Sequence, residues 1–394
     1  MSLLKYTADK IFTGREILNN NQVLLLKSSG EIEDIVPFEQ AGDDVQYLQG
    51  MLTPGFINSH CHLELSHLKN IIPQKTGLIA FIESILQNRF AEHEIILAAM
   101  ERADQEMWEN GIMAVGDICN TTDTLFTKNK SQIQFRNFIE LLGFLPHRAE
   151  EIFMTGKKVL DAFEENEKWK NFTSYAPHAP YTVSEDLFKK INTADEGEIT
   201  SIHNQETKDE DHLFKGEKNG FQKLYQNLNI DLTFFTPSGK SSLQSFFTLL
   251  SNVATLILVH NTFIHEEDIL YVQHQIKNTR QQVYFCLCPK ANLYIENALP
   301  PVSLLRQSNS KIILGTDSLA SNDTLSILDE INTLRKNFPT IPLEEMLRWA
   351  TLNGAEALGF EEKLGSFDKG KMPGILQIIF DENKKELESV NRLI

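Results

Sequence analysis

At 394 residues the chain exceeds what one compact core usually serves, and 41% hydrophobic residues with 25 phenylalanines exclude a disordered polypeptide. A net charge of −17 sets it against nucleic acid and anionic membrane surfaces, whose phosphates would repel it. The N-terminus lacks a signal-peptide pattern and no run reaches the roughly 18 apolar residues of a membrane span, so a soluble, cytoplasmic protein is expected.

Residues 1 to about 50 alternate short apolar pieces with turn formers. Lys10-Ile11-Phe12, Gln22 to Leu26 and Glu31 to Val36 are separated by Asn19-Asn20-Asn21 and Ser28-Ser29-Gly30. The last stretch, 361–394, reads similarly, with Lys363 to Phe367 and the apolar run Ile375 to Phe380. The two ends are expected to pair into one small β-sandwich (1–50 and 361–394), with the segment 51–360 inserted between them.

Inside that segment strands and helices alternate, as in a parallel α/β fold. The predicted strands are Leu52–His62, Met113–Ile118, Gln134–Leu142, Phe172–Ala176, Glu198–His203, Thr255–His260, Gln282–Cys288 and Lys311–Gly315. Helices are predicted over Ile95–Glu109, Ile152–Glu165, Ser184–Asn192, Glu266–Ile276, Leu325–Asn337 and Leu343–Leu358. Eight strands favour a closed TIM-type (β/α)8 barrel over an open sheet. The four cysteines (Cys61, Cys119, Cys286, Cys288) lack Cys-x-x-Cys spacing and are read as buried thiols, although Cys286 and Cys288 share a strand face and can in principle bind metal.

The first of these strands ends in His60-Cys61-His62. Alternation along a strand aims both imidazoles one way, which suits one metal ion. His203 ends the fifth strand, His260 the sixth, and Asp317 follows the eighth in Gly315-Thr316-Asp317-Ser318. Reactive groups of an α/β barrel collect at these carboxyl ends, and Asp is rarely buried without a partner.

Six pieces carry a resemblance: Pro54-Gly55-Phe56-Ile57-Asn58-Ser59-His60-Cys61-His62, Pro177 to Tyr181, His203 to Glu206, Leu258 to Asn261, Cys288 to Leu293, and Gly315 to Asn322. In this order the chain resembles the amidohydrolase superfamily, within it the cytosine/guanine deaminase and chlorohydrolase-like group. The resemblance implies His60, His62, His203 and Asp317 as metal ligands, Glu206 as proton shuttle and His260 as a catalytic histidine beside the metal. It implies one divalent ion, Zn²⁺ or Fe²⁺, because related two-metal barrels use a lysine ending the fourth strand and this chain has Ala176-Pro177-His178 there. Such an ion lowers the pKa of bound water from ~16 toward ~7. The expected reaction is hydrolytic deamination of an amino-substituted N-heterocycle by metal-bound hydroxide. Candidate substrates are purine nucleosides (adenosine, methylthioadenosine, S-adenosylhomocysteine, aminodeoxyfutalosine) or guanine. Glu206 fits ammonia as a leaving group that needs a proton. The alternatives are hydrolysis of another ring substituent or a cyclic amide, as in chlorohydrolases and imidazolonepropionase, or a barrel kept as a non-catalytic scaffold.

Further candidates are read two ways. His178 is a substrate contact or a loop-capping histidine, and Glu64 lines the mouth or joins a rim salt bridge. Arg148 holds an anionic group or is a surface arginine. Asn292 and Asn322 contact substrate or form turns. Lys208-Asp209-Glu210-Asp211 is read as a solvated loop that could close over the site. The expected partner is a small heterocyclic molecule, and the resemblance suggests a homodimer.

Overall fold

The structure, a computed structural model, describes residues 3–381 and 386–394. Five strands come first: β1 (Leu4–Phe12), β2 (Ile17–Asn19), β3 (Gln22–Leu26), β4 (Ile32–Pro37) and β5 (Gln46–Pro54). Eight follow, interleaved with helices: β6 (Phe56–Cys61), β7 (Ile112–Cys119), β8 (Gln134–Leu141), β9 (Thr173–Pro177), β10 (Ile199–Asn204), β11 (Thr255–His260), β12 (Gln282–Leu287) and β13 (Lys311–Leu314). Two more end the sequence, β14 (Ile375–Asp381) and β15 (Glu386–Arg392).

β6 to β9 form one parallel four-stranded sheet and β10 to β13 another, each in sequence order. Their edges are bridged by backbone hydrogen bonds. His203 N donates to His178 O at 3.0 Å beyond β9, and Thr316 N and Asp317 N donate to His60 O at 3.1 and 3.0 Å beside β6. Every residue of β11 is buried, the mark of a strand covered on both faces. Its side chains divide by parity: Leu256 and Leu258 pack outward with the helices, whereas Ile257 and Val259 join Ile57, Phe138, Cys286 and Ile313 in an inner core.

The terminal segments do pair, but in a single seven-stranded sheet ordered β15-β14-β5-β1-β3-β4, with β2 against β1. No second, separately hydrogen-bonded sheet forms from these segments among the described residues. This sheet buries its own cluster, including Ala8, Ile11, Leu24, Leu52 and Ile375, and it runs on through Pro54.

Two predicted elements are divided for identifiable reasons. The stretch Leu52–His62 breaks at Gly55, where β5 leaves the terminal sheet and β6 enters the parallel one. A Cβ at Gly55 would stand 2.1 Å from Met113 Cγ and 2.7 Å from Pro373 O, so only glycine fits. The helix predicted over Leu343–Leu358 is two, Leu343–Trp349 and Leu352–Leu358. Ala350 O turns out to accept from Ile57 N at 2.8 Å, which docks the break onto β6. The other strands and helices lie within a few residues of their predicted bounds, and Glu266–Ile276 coincides with its prediction.

Candidate active site

The strand ends deliver four histidines (His62, His178, His203 and His260) and three carboxylates (Glu140, Glu206 and Asp317) into one cavity of about 370 Å³, in the usual range for a ligand site. His60 and His62 come from the end of β6, and their ring centroids lie 4.9 Å apart. Asn58 secures this end against β13: its Nδ2 donates to Thr316 Oγ1 at 2.7 Å and its Oδ1 accepts from Thr316 N at 3.0 Å. Gly315 permits the approach, since a Cβ there would meet His60 Cβ at 2.8 Å.

One coordinating atom from each of His60, His62 and His203 fits within a 4.8 Å group. His62 Nε2 lies 3.2 Å from His203 Nε2, and Asp317 Oδ1 lies 3.6 Å from both His60 Nε2 and His62 Nε2. Both ring nitrogens of His60 are buried without a hydrogen-bond partner. A buried imidazole so placed is expensive unless something binds it, and a cation answers that need. Supporting groups orient the set. His203 Nδ1 pairs with His178 O at 2.7 Å, and Ser321 Oγ donates to Asp317 Oδ2 at 2.5 Å. Burial lowers the pKa of His60 and of His203, the latter well below its usual value, which keeps the imidazoles in the neutral, coordinating form.

Beside the cluster, Glu206 Oε1 lies 3.7 Å from His260 Nε2. Burial, reinforced by the Asp317 carboxylate, pushes the Glu206 carboxyl well above the usual range and favours its protonated form. Burial lowers His260 to about 3. Asn292, bonded to Thr262 Oγ1 at 2.6 Å, sets its Nδ2 3.3 Å from His260 Nδ1. Gln205, His260, Asn261 and Asp317 all have left-handed backbones, with φ of 45°, 72°, 56° and 58°. Such clustering of costly conformations at strand ends marks residues held for function.

All six residues expected to do chemistry therefore meet. His178 also lines the cavity, its Nδ1 paired with Thr182 Oγ1 at 2.7 Å. Arg148 is at the rim, but its guanidinium is spent on a two-point pair with Glu151 at 2.8 and 3.0 Å. Glu64 and Asn322 do not line the cavity. Glu64 accepts from Asn120 N, Thr121 N and Thr121 Oγ1 at 2.8 to 3.1 Å, clamping the loop after β7. Asn322 Nδ2 donates to Thr316 O and Glu330 Oε1, both at 2.9 Å, and so folds the loop behind Asp317.

The Lys208–Asp211 stretch is a correction. It opens a helix, Lys208–Lys215, in which Glu210 and Asp211 are buried. Glu210 accepts from Gln205 N at 3.0 Å, Glu206 N at 3.4 Å and Ser242 Oγ at 2.6 Å, so it acts as a backbone clamp.

Sequence reasoning missed Asp117, Lys128 and Glu140. Asp117 accepts from Leu63 N at 2.8 Å, just past His62, and pairs with the fully buried Lys128 at 2.6 Å. Glu140 lies in the cavity wall with His203 and His178. The available signal was a lone acid inside an otherwise apolar strand, Val-Gly-Asp-Ile for Asp117 and Phe-Ile-Glu-Leu for Glu140.

Fold and site together define a metal-dependent hydrolase. The chain belongs to the Amidohydrolase family, whose profile matches residues 51–390, and it is a hydrolase of carbon–nitrogen bonds of the deaminase kind. It is 26% identical over 339 residues to the adenosine deaminase of Helicobacter pylori, covering 84% of this chain and 80% of that one. Identity with the 5-methylthioadenosine/S-adenosylhomocysteine deaminase of Teredinibacter turnerae is 27% over 389 residues, covering 93% and 81%. The fold matches that of Helicobacter pylori aminofutalosine deaminase in complex with methylthio-coformycin, with a TM-score of 0.80, 22% identity and coverage of 99% and 100%. No described helix is long and apolar enough to cross a membrane.

Proposed function

We propose that this protein removes the exocyclic amine of a purine nucleoside as ammonia, leaving a ring carbonyl, within a (β/α)8 barrel formed by β6 to β13. The backbone bonds joining His203 to His178 and Asp317 to His60 support the closed barrel. The observation that carries the reaction is the placement of Glu206, buried, beside His260 at the edge of the three-histidine cluster. His60, His62, His203 and Asp317 would hold one divalent ion, for which the nitrogen-and-carboxylate donor set suits Zn²⁺. When bound, such an ion acidifies water and so supplies a nucleophile near neutral pH.

The chain's own residues do the rest. Water adds to the ring carbon that bears the amine, and the neighbouring ring nitrogen must take up a proton as aromaticity is lost. Glu206 in its acid form supplies that proton, takes one from the attacking water and passes it to the departing amine, and regains its own from the added hydroxyl as the ring carbonyl forms. His260, fixed by Asn292 and next to the Glu206 carboxyl, orients the incoming water. His178 offers its ring to the heterocycle. Beyond these groups Phe81, Ile85, Phe144 and Leu224 wall the cavity, which limits water near the reacting carbon. Purine nucleosides are favoured because the relatives named above act on adenosine-type compounds.

An ammonia-release screen of metal-replete protein tests this, using adenosine, 5′-deoxyadenosine, methylthioadenosine and guanine beside a chlorinated triazine and a lactam. Turnover of an aminopurine is expected, with Glu206→Gln slower by about 10³-fold at unchanged metal content. Inert aminopurines beside a reactive chloride or lactam would sink deamination.

A further inference from the structure

Asp117 and Lys128 form an ion pair without exposed surface, Oδ2 to Nζ at 2.6 Å. The ammonium has further partners. It donates to Asn137 Oδ1 at 2.8 Å, lies 3.1 Å from Cys119 Sγ, and stands 5.1 and 5.2 Å from the ring centres of Phe135 and Phe163. Taking two charges out of water costs about as much as their attraction returns, so an apolar pair of similar volume would serve stability as well. The pair therefore calls for a geometric account, and the second oxygen of Asp117 supplies one. That oxygen, Oδ1, accepts from Leu63 N at 2.8 Å.

Leu63 follows His62. Strand β6 ends at Cys61 and a 3₁₀ turn, Leu63–Leu68, begins two residues later, so His62 is the joint between them, with φ −121° and ψ 85°. The first N–H of such a turn has no partner within it, and Asp117 meets that need. The other expected ligands are held by different means. His60 lies within β6, where its carbonyl accepts from Thr316 N and Asp317 N. His203 has its Nδ1 contact with His178 O, and Asp317 has the Ser321 hydroxyl. For His62, no hydrogen bond reaches Nδ1 among the described residues; its ring engages only His203, through Nε2. The aim of this imidazole is set through its backbone, by the bond one residue on.

We propose that Asp117, held by Lys128, is a positioning residue for the metal centre: by fixing Leu63 N it sets the direction in which His62 leaves β6, and with it the affinity for the ion. This inference rests on the ligand set proposed above.

Two double variants test it, each removing both charges so that neither is left buried and unpaired. Asp117→Asn/Lys128→Met keeps a side-chain oxygen for Leu63 N, whereas Asp117→Leu/Lys128→Met has a similar shape without one. Dissociation constants for Zn²⁺ are read by competition with a chromophoric chelator, and the visible bands of Co²⁺-loaded protein report the ligand geometry. The leucine variant is expected to bind Zn²⁺ about 10- to 100-fold more weakly, with altered Co²⁺ bands. The asparagine variant should keep wild-type affinity and bands. A role confined to packing would shift the melting midpoint of both variants and leave affinity and bands alone, which overturns the inference. Equal weakening in the two overturns it as well, because the acceptor is then not what matters. Should the leucine variant not fold, amide exchange in wild type decides. On Zn²⁺ loading, peptides across Leu63 are expected to slow about tenfold more than those of β1 and β3, and equal slowing refutes the coupling. A wild type that takes up no divalent ion removes the ligand set itself, and this inference with it.

Discussion

His62 and His203 are 141 positions apart in sequence, yet their Nε2 atoms lie 3.2 Å from each other. Their rings lie 5.3 Å apart and within 23° of parallel, a convergence of ring nitrogens that suits one cation held by both. Metal analysis of the protein is expected to give about one divalent ion per chain. Stripping it with a chelator should lower the melting midpoint, in line with about 2.7 kcal/mol of linkage at a hundredfold excess over Kd. Retention of the ion by a His62→Ala/His203→Ala double variant would place it elsewhere.

Glu210 grips the backbone on both sides of the peptide that leads into Glu206, and Gln205 holds a left-handed φ of 45° there. Removing the clamp frees the turn that carries Glu206. Glu210→Ala is expected to lower kcat about tenfold with KM nearly unchanged, and to cost about 1–3 kcal/mol in urea unfolding through the stranded N–H groups. Glu210→Gln, which still accepts one of those bonds, should recover part of both. A loss confined to stability, with kcat intact, would show that the clamp does not act on Glu206.

Glu330 sits behind Asp317 and accepts from Lys290 N and Asn322 Nδ2, each at 2.9 Å. Burial raises its pKa from 4.5 to about 8. The folded state therefore retains a proton that the unfolded chain gives up above about pH 4.5. Its contribution is full below that pH and is lost as pH rises toward 8, at up to ~1.4 kcal/mol per pH unit. Glu330→Gln should flatten that slope in chemical denaturation curves taken from pH 5 to 8. An identical slope in variant and wild type would rule the group out.

What the sequence disclosed follows from how each residue signals. His60, His62, His203, His260 and Asp317 stand at or just past the ends of apolar strands, where a titratable group has few reasons to be, and their positions are readable from the sequence alone. Strand bounds were legible because buried parallel strands are unbroken apolar runs. Glu210 and Asp211 were misread because a run of charges in sequence says nothing of which carboxylates turn inward to backbone donors. Asp117, Lys128 and Glu140 went unnoticed although isolated acids in Val-Gly-Asp-Ile and Phe-Ile-Glu-Leu stood out, and Lys128 gave no sign because its partner lies across a turn. The break at Gly55 was hidden for another reason: two consecutive strands in different sheets look like one long apolar stretch.

That break has a bearing on how the protein is made. β5 pairs with β14, and Gly55 alone separates β5 from β6, the strand that carries His60. The brace for the strand that carries His60 is thus translated long after the strand itself. During synthesis at ~5–20 residues per second the nascent strand waits for its neighbour, and durable capture of a cation belongs to the finished polypeptide instead of the growing one.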